Sequence, residues 1–134
     1  MIIVKSLIAA VLLGCLGSAA LAADIVVIGH PSAEAMTKER IADLYLGKSH
    51  TATLYDHRES SALYADFYQQ ATGRDVAQVK STWSRIVFSG RGQAPKQLPD
   101  SAAVKKAVAD NPKAIGYIER AALDNTVKVI LELK

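Results

Sequence analysis

The run Asp24-Ile-Val-Val-Ile-Gly29 sets four β-branched apolar residues in a row and closes on glycine. Successive side chains of a strand point to opposite faces, so this run is apolar on both faces and needs cover on both. A half-solvated hairpin strand is thereby excluded. The rest of the chain supplies the cover. Thr37 is placed to cap a helix carrying Ile41, Leu44 and Tyr45 on one face, with Gly47 to close it. Thr51 to Tyr55 reads as a second short strand. Ser60 or Ser61 caps a further helix with Leu63, Phe67 and Ala71 on one face and Gly73 at its end. Asp75 and Gln78 have the spacing of a capping box. The helix they open aligns Val79, Trp83, Ile86 and Val87 as a buried stripe.

Residues 89–99 show no periodicity, hold glycines and prolines, and read as a loop. Asp100 caps a helix with Val104, Ala107 and Val108 inward, stopped by Asn111-Pro112. Ala114 to Ile118 and Val127 to Leu133 read as strands. The last alternates Val127, Val129, Leu131 and Leu133 with polar neighbours, the pattern of a half-exposed edge. Strands separated by helices predict one small α/β domain: a mostly parallel sheet flanked by helices. No internal repeat or low-complexity tract is present.

Ahead of this domain lies a secretory pattern. Lys5 is basic, Ser6 to Leu16 is apolar, and Ala20-Leu-Ala22 is a small-x-small cleavage site. The run is short for the ~30 Å hydrocarbon core of a membrane. Residues 1–22 are therefore expected to be a signal peptide, and 23–134 a single periplasmic domain. Leu12-Leu-Gly-Cys15 offers an alternative, a lipidated Cys15 as membrane anchor. Cys15 is the only cysteine of the chain, so no internal disulfide is expected after processing. The formal charge of +3 includes Lys5, the only charged residue of the leader, which leaves +2 on the mature domain. That is too little to argue for a nucleic-acid partner. The basic residues are uneven, however: Lys80, Arg85, Arg91, Lys96, Lys105, Lys106 and Lys113 face only Asp100 and Asp110 in that stretch. Such a field favours an anion, or is a solvated helix surface.

In parallel α/β sheets, ligands bind beyond the carboxyl ends of strands. That nominates Gly29-His-Pro-Ser32 and Asp56-His-Arg-Glu-Ser-Ser61. The second has the richer chemistry. A helix opening at Ser60 or Ser61 presents free N–H groups and about half a positive charge. The two hydroxyls can donate to an oxyanion, and Arg58 offers a fork of donors. Asp56 can orient Arg58 or accept a proton from a protonated oxyanion. Ordinary capping explains the serines equally well.

Four segments, Leu44-Tyr-Leu-Gly-Lys48, Asp56-His-Arg-Glu-Ser-Ser61, Trp83-Ser-Arg-Ile-Val-Phe-Ser-Gly-Arg-Gly92 and Pro112-Lys-Ala-Ile-Gly-Tyr-Ile118, stand in order along the chain. Together they resemble the phosphate-binding members of the periplasmic substrate-binding superfamily, the receptors of phosphate ABC transporters. The resemblance runs from about Ile25 to Ile118. It implies one lobe of that fold, with phosphate or a similar oxyanion held by Arg58, Ser60 and Ser61, and more loosely by Ser32. The family's Gly-Thr after the serine is Ser61-Ala62 here. Full relatives are about twice as long and close the ligand between two lobes, so a single lobe implies weak binding. Arg91, in the Gly-rich loop, is the candidate second cation, with Ser89-Gly-Arg-Gly92 able to form an anion-binding nest.

The other chemistries are poorer. His30, His50 and His57 have no metal-ligand spacing and read as loop residues. Asp56, His57 and Ser60 are triad types but crowd one loop, and no G-x-S-x-G elbow is present. The Gly-rich loop lacks the Lys-Ser/Thr of a P-loop. No catalysis and no cofactor are expected. The expected role is an oxyanion-binding protein of a transporter. The alternative is an interaction module that pairs with itself as a homodimer, or with a membrane sensor or transporter, without needing ligand.

Overall fold

The computed structural model describes residues 24–133. The expected leader, its cleavage site and Cys15 lie outside them. Five strands and four helices follow in the order β1 (Ile25–Gly29), α1 (Lys38–Tyr45), β2 (Thr53–His57), α2 (Ala62–Thr72), α3 (Val76–Phe88), β3 (Lys96–Leu98), α4 (Ser101–Ala109), β4 (Ala114–Glu119) and β5 (Lys128–Glu132). A short 3₁₀ turn, Arg120–Ala122, precedes β5. The expected caps are in place: Thr37 accepts from Arg40 N, Ser61 from Leu63 N, and Asp100 from Ala103 N. Asp75 and Gln78 close their capping box in both directions.

The sheet order is β3-β2-β4-β1-β5. β2 pairs in parallel with β3 and β4, while β1 runs antiparallel to both β4 and β5. Four strands thus share one direction and β1 opposes them. β1 is covered on both faces, as its composition demands. Ile25 and Val27 pack with Ile41, Tyr45, Phe67, Val79 and Trp83 beneath α1–α3, whereas Val26 and Ile28 pack with Val104 and Val108 of α4. α4 rides close on the sheet because Gly116 leaves room: a Cβ there would lie 2.6 Å from Val104 Cγ1.

Four local readings are corrected. β2 begins and ends two residues later than expected, so Asp56 and His57 belong to the strand and are buried. Lys96–Leu98, with no apolar pattern of its own, is drawn out of the expected loop by pairing with β2. Val87 is 48% exposed and Phe88 95%. The α3 stripe therefore ends at Ile86, and its last turn points away from the core. In β5 the pairing shifts between Val27 and Ile28, a bulge that buries Ile130 and leaves Val129 and Leu131 only half-buried.

Candidate functional site

The carboxyl end of β2 leads into α2 through one tight turn. Ser61 N donates to Arg58 O at 2.8 Å, which doubles the chain back at residues 58–61. Ser61 then takes the cap position. Its Oγ accepts from Leu63 N at 3.2 Å and its carbonyl from Tyr64 N at 3.1 Å. The N–H of Ala62 is left for solvent or a ligand. Arg58, Glu59 and Ser60 are exposed and Ser61 is half-buried. Glu59 pairs with Lys80 of α3 at 2.9 Å, while Arg58 enters none of the ion pairs among the described residues. The turn therefore presents a free guanidinium, a free hydroxyl and a helix N-terminus together, the donor set that suits an oxyanion.

Asp56 lies beneath this turn rather than in it. Because β2 extends further than expected, the carboxyl group points into the core and is 2% exposed. Tyr117 donates to its Oδ1 at 2.6 Å and Tyr68 to its Oδ2 at 2.7 Å. Asp56 consequently does not orient Arg58. Burial raises its pKa to about 7, against the opposing pull of the two tyrosine hydroxyls. Burial also lifts Tyr68 and Tyr117 well above the usual phenol range, and the Asp56 charge adds to both shifts. His57 is the next residue of the strand, not a loop residue. Its Nε2 donates to Tyr117 O at 2.9 Å, and burial pushes its pKa down. Tyr68 and Tyr117 were not legible as partners of Asp56. They lie 12 and 61 residues away, and only the fold brings them together.

The remaining expected site residues lie elsewhere. Gly29 is level with Ile115, which pairs with Leu54 near the start of β2. Since β1 is reversed, Ser32 sits at the opposite end of the sheet from Arg58, where its Oγ bonds His30 Nδ1 at 2.7 Å. Arg91 lies neither with Arg58 nor with Ser32. It lines a cleft with Lys48, His50, Thr82 and Arg85, between the turn after α1 and the end of α3. Next to the Arg58 turn itself runs a separate cleft of about 380 Å³, floored by Asp56, Tyr64 and Trp83 and walled by Val87, Phe88 and Pro95.

No family model and no curated protein matches the chain. Solved structures do. An ABC-type phosphate transport receptor from Vibrio cholerae superposes with a TM-score of 0.63 at 18% identity, over 81% of this chain and 45% of the receptor. A candidate phosphate ABC transporter substrate-binding protein from Clostridium perfringens, solved with bound phosphate, gives 0.61 at 19% identity, over 81% of this chain and 44% of that one. PstS from Borrelia burgdorferi gives 0.54 at 13% identity, over 81% and 46%. The chain spans less than half the length of these proteins. At such identities the likeness is one of fold: residues 24–133 form a single α/β domain built like one part of a phosphate-transport receptor.

Proposed function

We propose that this chain is an extracytoplasmic oxyanion-binding protein, with phosphate or a similar anion held over the N-terminus of α2 by Arg58, Ser60 and Ser61. One observation carries the reading. A free guanidinium, an exposed serine and the uncovered start of an 11-residue helix meet in one turn, in a fold shared with phosphate receptors. Ser32 and Arg91 take no part in this site, nor does Asp56, whose buried carboxyl group is held beneath the turn by Tyr68 and Tyr117. Binding is weak, about 0.1–1 mM, because a single lobe does not exclude water from the anion. Arg58→Ala is expected to weaken phosphate binding at least about tenfold, since it removes the turn's own cation, which enters no ion pair among the described residues, and its hydrogen bonds. Ser60→Ala costs less. Amide NMR shifts during a phosphate titration check both. Shifts that persist unchanged in Arg58→Ala would place the anion elsewhere.

The partner in this reading is a membrane transporter or sensor, and the protein reaches it by export. The exported protein is expected to begin at Ala23, which intact mass spectrometry reads directly. A lipidated Cys15 in its place would favour the anchored form. A second reading rests on Phe88, 95% exposed beside half-exposed Val87. Large apolar side chains so exposed suit a protein contact, so a ligand-independent module that pairs with itself or a membrane partner is the alternative. Failure of tens of millimolar phosphate to shift any α2 amide would select it.

A further inference from the structure

A second cluster of basic groups lies outside the Arg58 turn. Two stretches far apart in sequence, the turn after α1 and the end of α3 with the loop that follows it, converge on one cleft of about 540 Å³. The turn after α1 contributes Lys48 and His50, α3 contributes Thr82 and Arg85, and the loop after α3 contributes Arg91. The lining contains no acidic residue. Lys48, Arg85 and Arg91 enter none of the ion pairs among the described residues.

The cleft is built on fixed backbone. Lys48 N donates to Asp43 O at 2.8 Å, and Arg91 N to Ile86 O at 3.2 Å. Arg91 Nε donates to Ser89 Oγ at 2.9 Å, leaving its terminal nitrogens free to bind. Two glycines let the walls close. At Gly47 the backbone is left-handed, with φ of 74°, and a Cβ would lie 2.3 Å from Ile86 Cδ1. At Gly92 a Cβ would lie 2.9 Å from His50 Cε1. The loop carrying Arg91 is thereby seated directly against His50.

Cations near helix C-termini are ordinary partners of the helix dipole, and α1 and α3 both end here. Each terminus supplies only about half a negative charge. Three formal cations therefore leave roughly two positive charges unanswered. The volume falls among small-molecule sites, roughly 300–1,000 Å³, and exceeds the needs of one orthophosphate. We propose that this cleft binds a ligand bearing at least two phosphate groups, either a free di- or polyphosphate or a lipid headgroup with two phosphates. It is distinct from the turn at Arg58, none of whose residues lines it.

The experiment titrates the exported protein with pyrophosphate and with orthophosphate, followed by amide shifts. Sedimentation with phosphatidylcholine vesicles, with and without cardiolipin, runs in parallel. Pyrophosphate is expected to shift Lys48, Thr82, Arg91 and Gly92 and to bind them at least about fivefold more tightly than orthophosphate. Arg85→Gln and Arg91→Gln, both at exposed positions, are each expected to weaken that binding about threefold to tenfold. Lys48→Gln gives an independent third reading. Arg58→Ala leaves the response unchanged, so this cleft and the α2 site stand or fall separately. A pyrophosphate response with vesicle binding identifies the headgroup source; the same response without it identifies the free anion. No shift at about 10 mM pyrophosphate, a response indifferent to Arg85 and Arg91, or vesicle binding without a pyrophosphate response overturns the proposal.

Discussion

Trp83→Ala is expected to destabilise the domain by about 3–5 kcal/mol, the range for removing a large aromatic side chain from a core. Trp83 is 6% exposed and belongs to the cluster beneath α1–α3. It also does something a smaller residue cannot. Its Nε1 donates at 2.8 Å to the carbonyl of Tyr45, in the last turn of α1. The final carbonyls of a helix lack intrahelical partners; here Leu46 N serves Ala42, Gly47 N serves Leu44, and Trp83 serves Tyr45. Trp83→Phe keeps most of the volume and loses that bond, and is expected to cost about 1–3 kcal/mol for a buried acceptor left unpaired. Denaturant midpoints of the three proteins rank them. If the alanine variant unfolds at the wild-type midpoint, the indole contributes nothing to the core.

The elements whose order is set by local chemistry were readable. Caps at Thr37, Ser61, Asp75 and Asp100 are short-range devices in which one side chain satisfies a backbone group two or three residues on. The double-sided apolar run of β1 likewise had to be interior. Direction was not readable. Nothing in Ile25–Gly29 tells the strand to run against its neighbours, since strand polarity is decided by the connections and by the pairing of Ile25 with Glu119 at the far end of the chain. Ser32 therefore went to the wrong end of the sheet. β3 was invisible because a three-residue edge strand of Lys-Gln-Leu has no pattern and exists only through its partner. The turn proposed to hold the anion was legible in part. Arg58, Ser60 and Ser61 are neighbours in sequence, whereas the two tyrosines on Asp56 and the cleft that gathers Lys48, Arg85 and Arg91 are assembled by tertiary contacts.

The stability of the domain is expected to fall as pH rises from about 4 to about 7, through Asp56. Its carboxyl group is raised from the ordinary 3.8 to about 7 by burial. The folded state therefore holds its proton more tightly than the unfolded chain. Stability from this group is fully present below the unfolded value and lost as pH climbs through the folded one. A displacement of about three units corresponds to roughly 4 kcal/mol at full extent. The groups packed against the carboxyl, Tyr68, Tyr117, Tyr45 and Tyr64, stay neutral across that window, all raised chiefly by burial. His57 works in the opposite direction. Burial lowers its folded pKa, so its contribution is present above the unfolded value and lost as pH falls. The informative quantity is thus the difference between wild type and Asp56→Asn. Asparagine keeps the shape and an acceptor for one tyrosine hydroxyl but does not titrate. Urea unfolding of both proteins at intervals from pH 4 to pH 8 should give curves that diverge, the wild type losing ground to the variant as the carboxyl ionises. Curves that stay parallel across the window would mean that Asp56 ionises as easily in the core as in water, and that the tyrosine hydroxyls at 2.6 and 2.7 Å fully offset its burial.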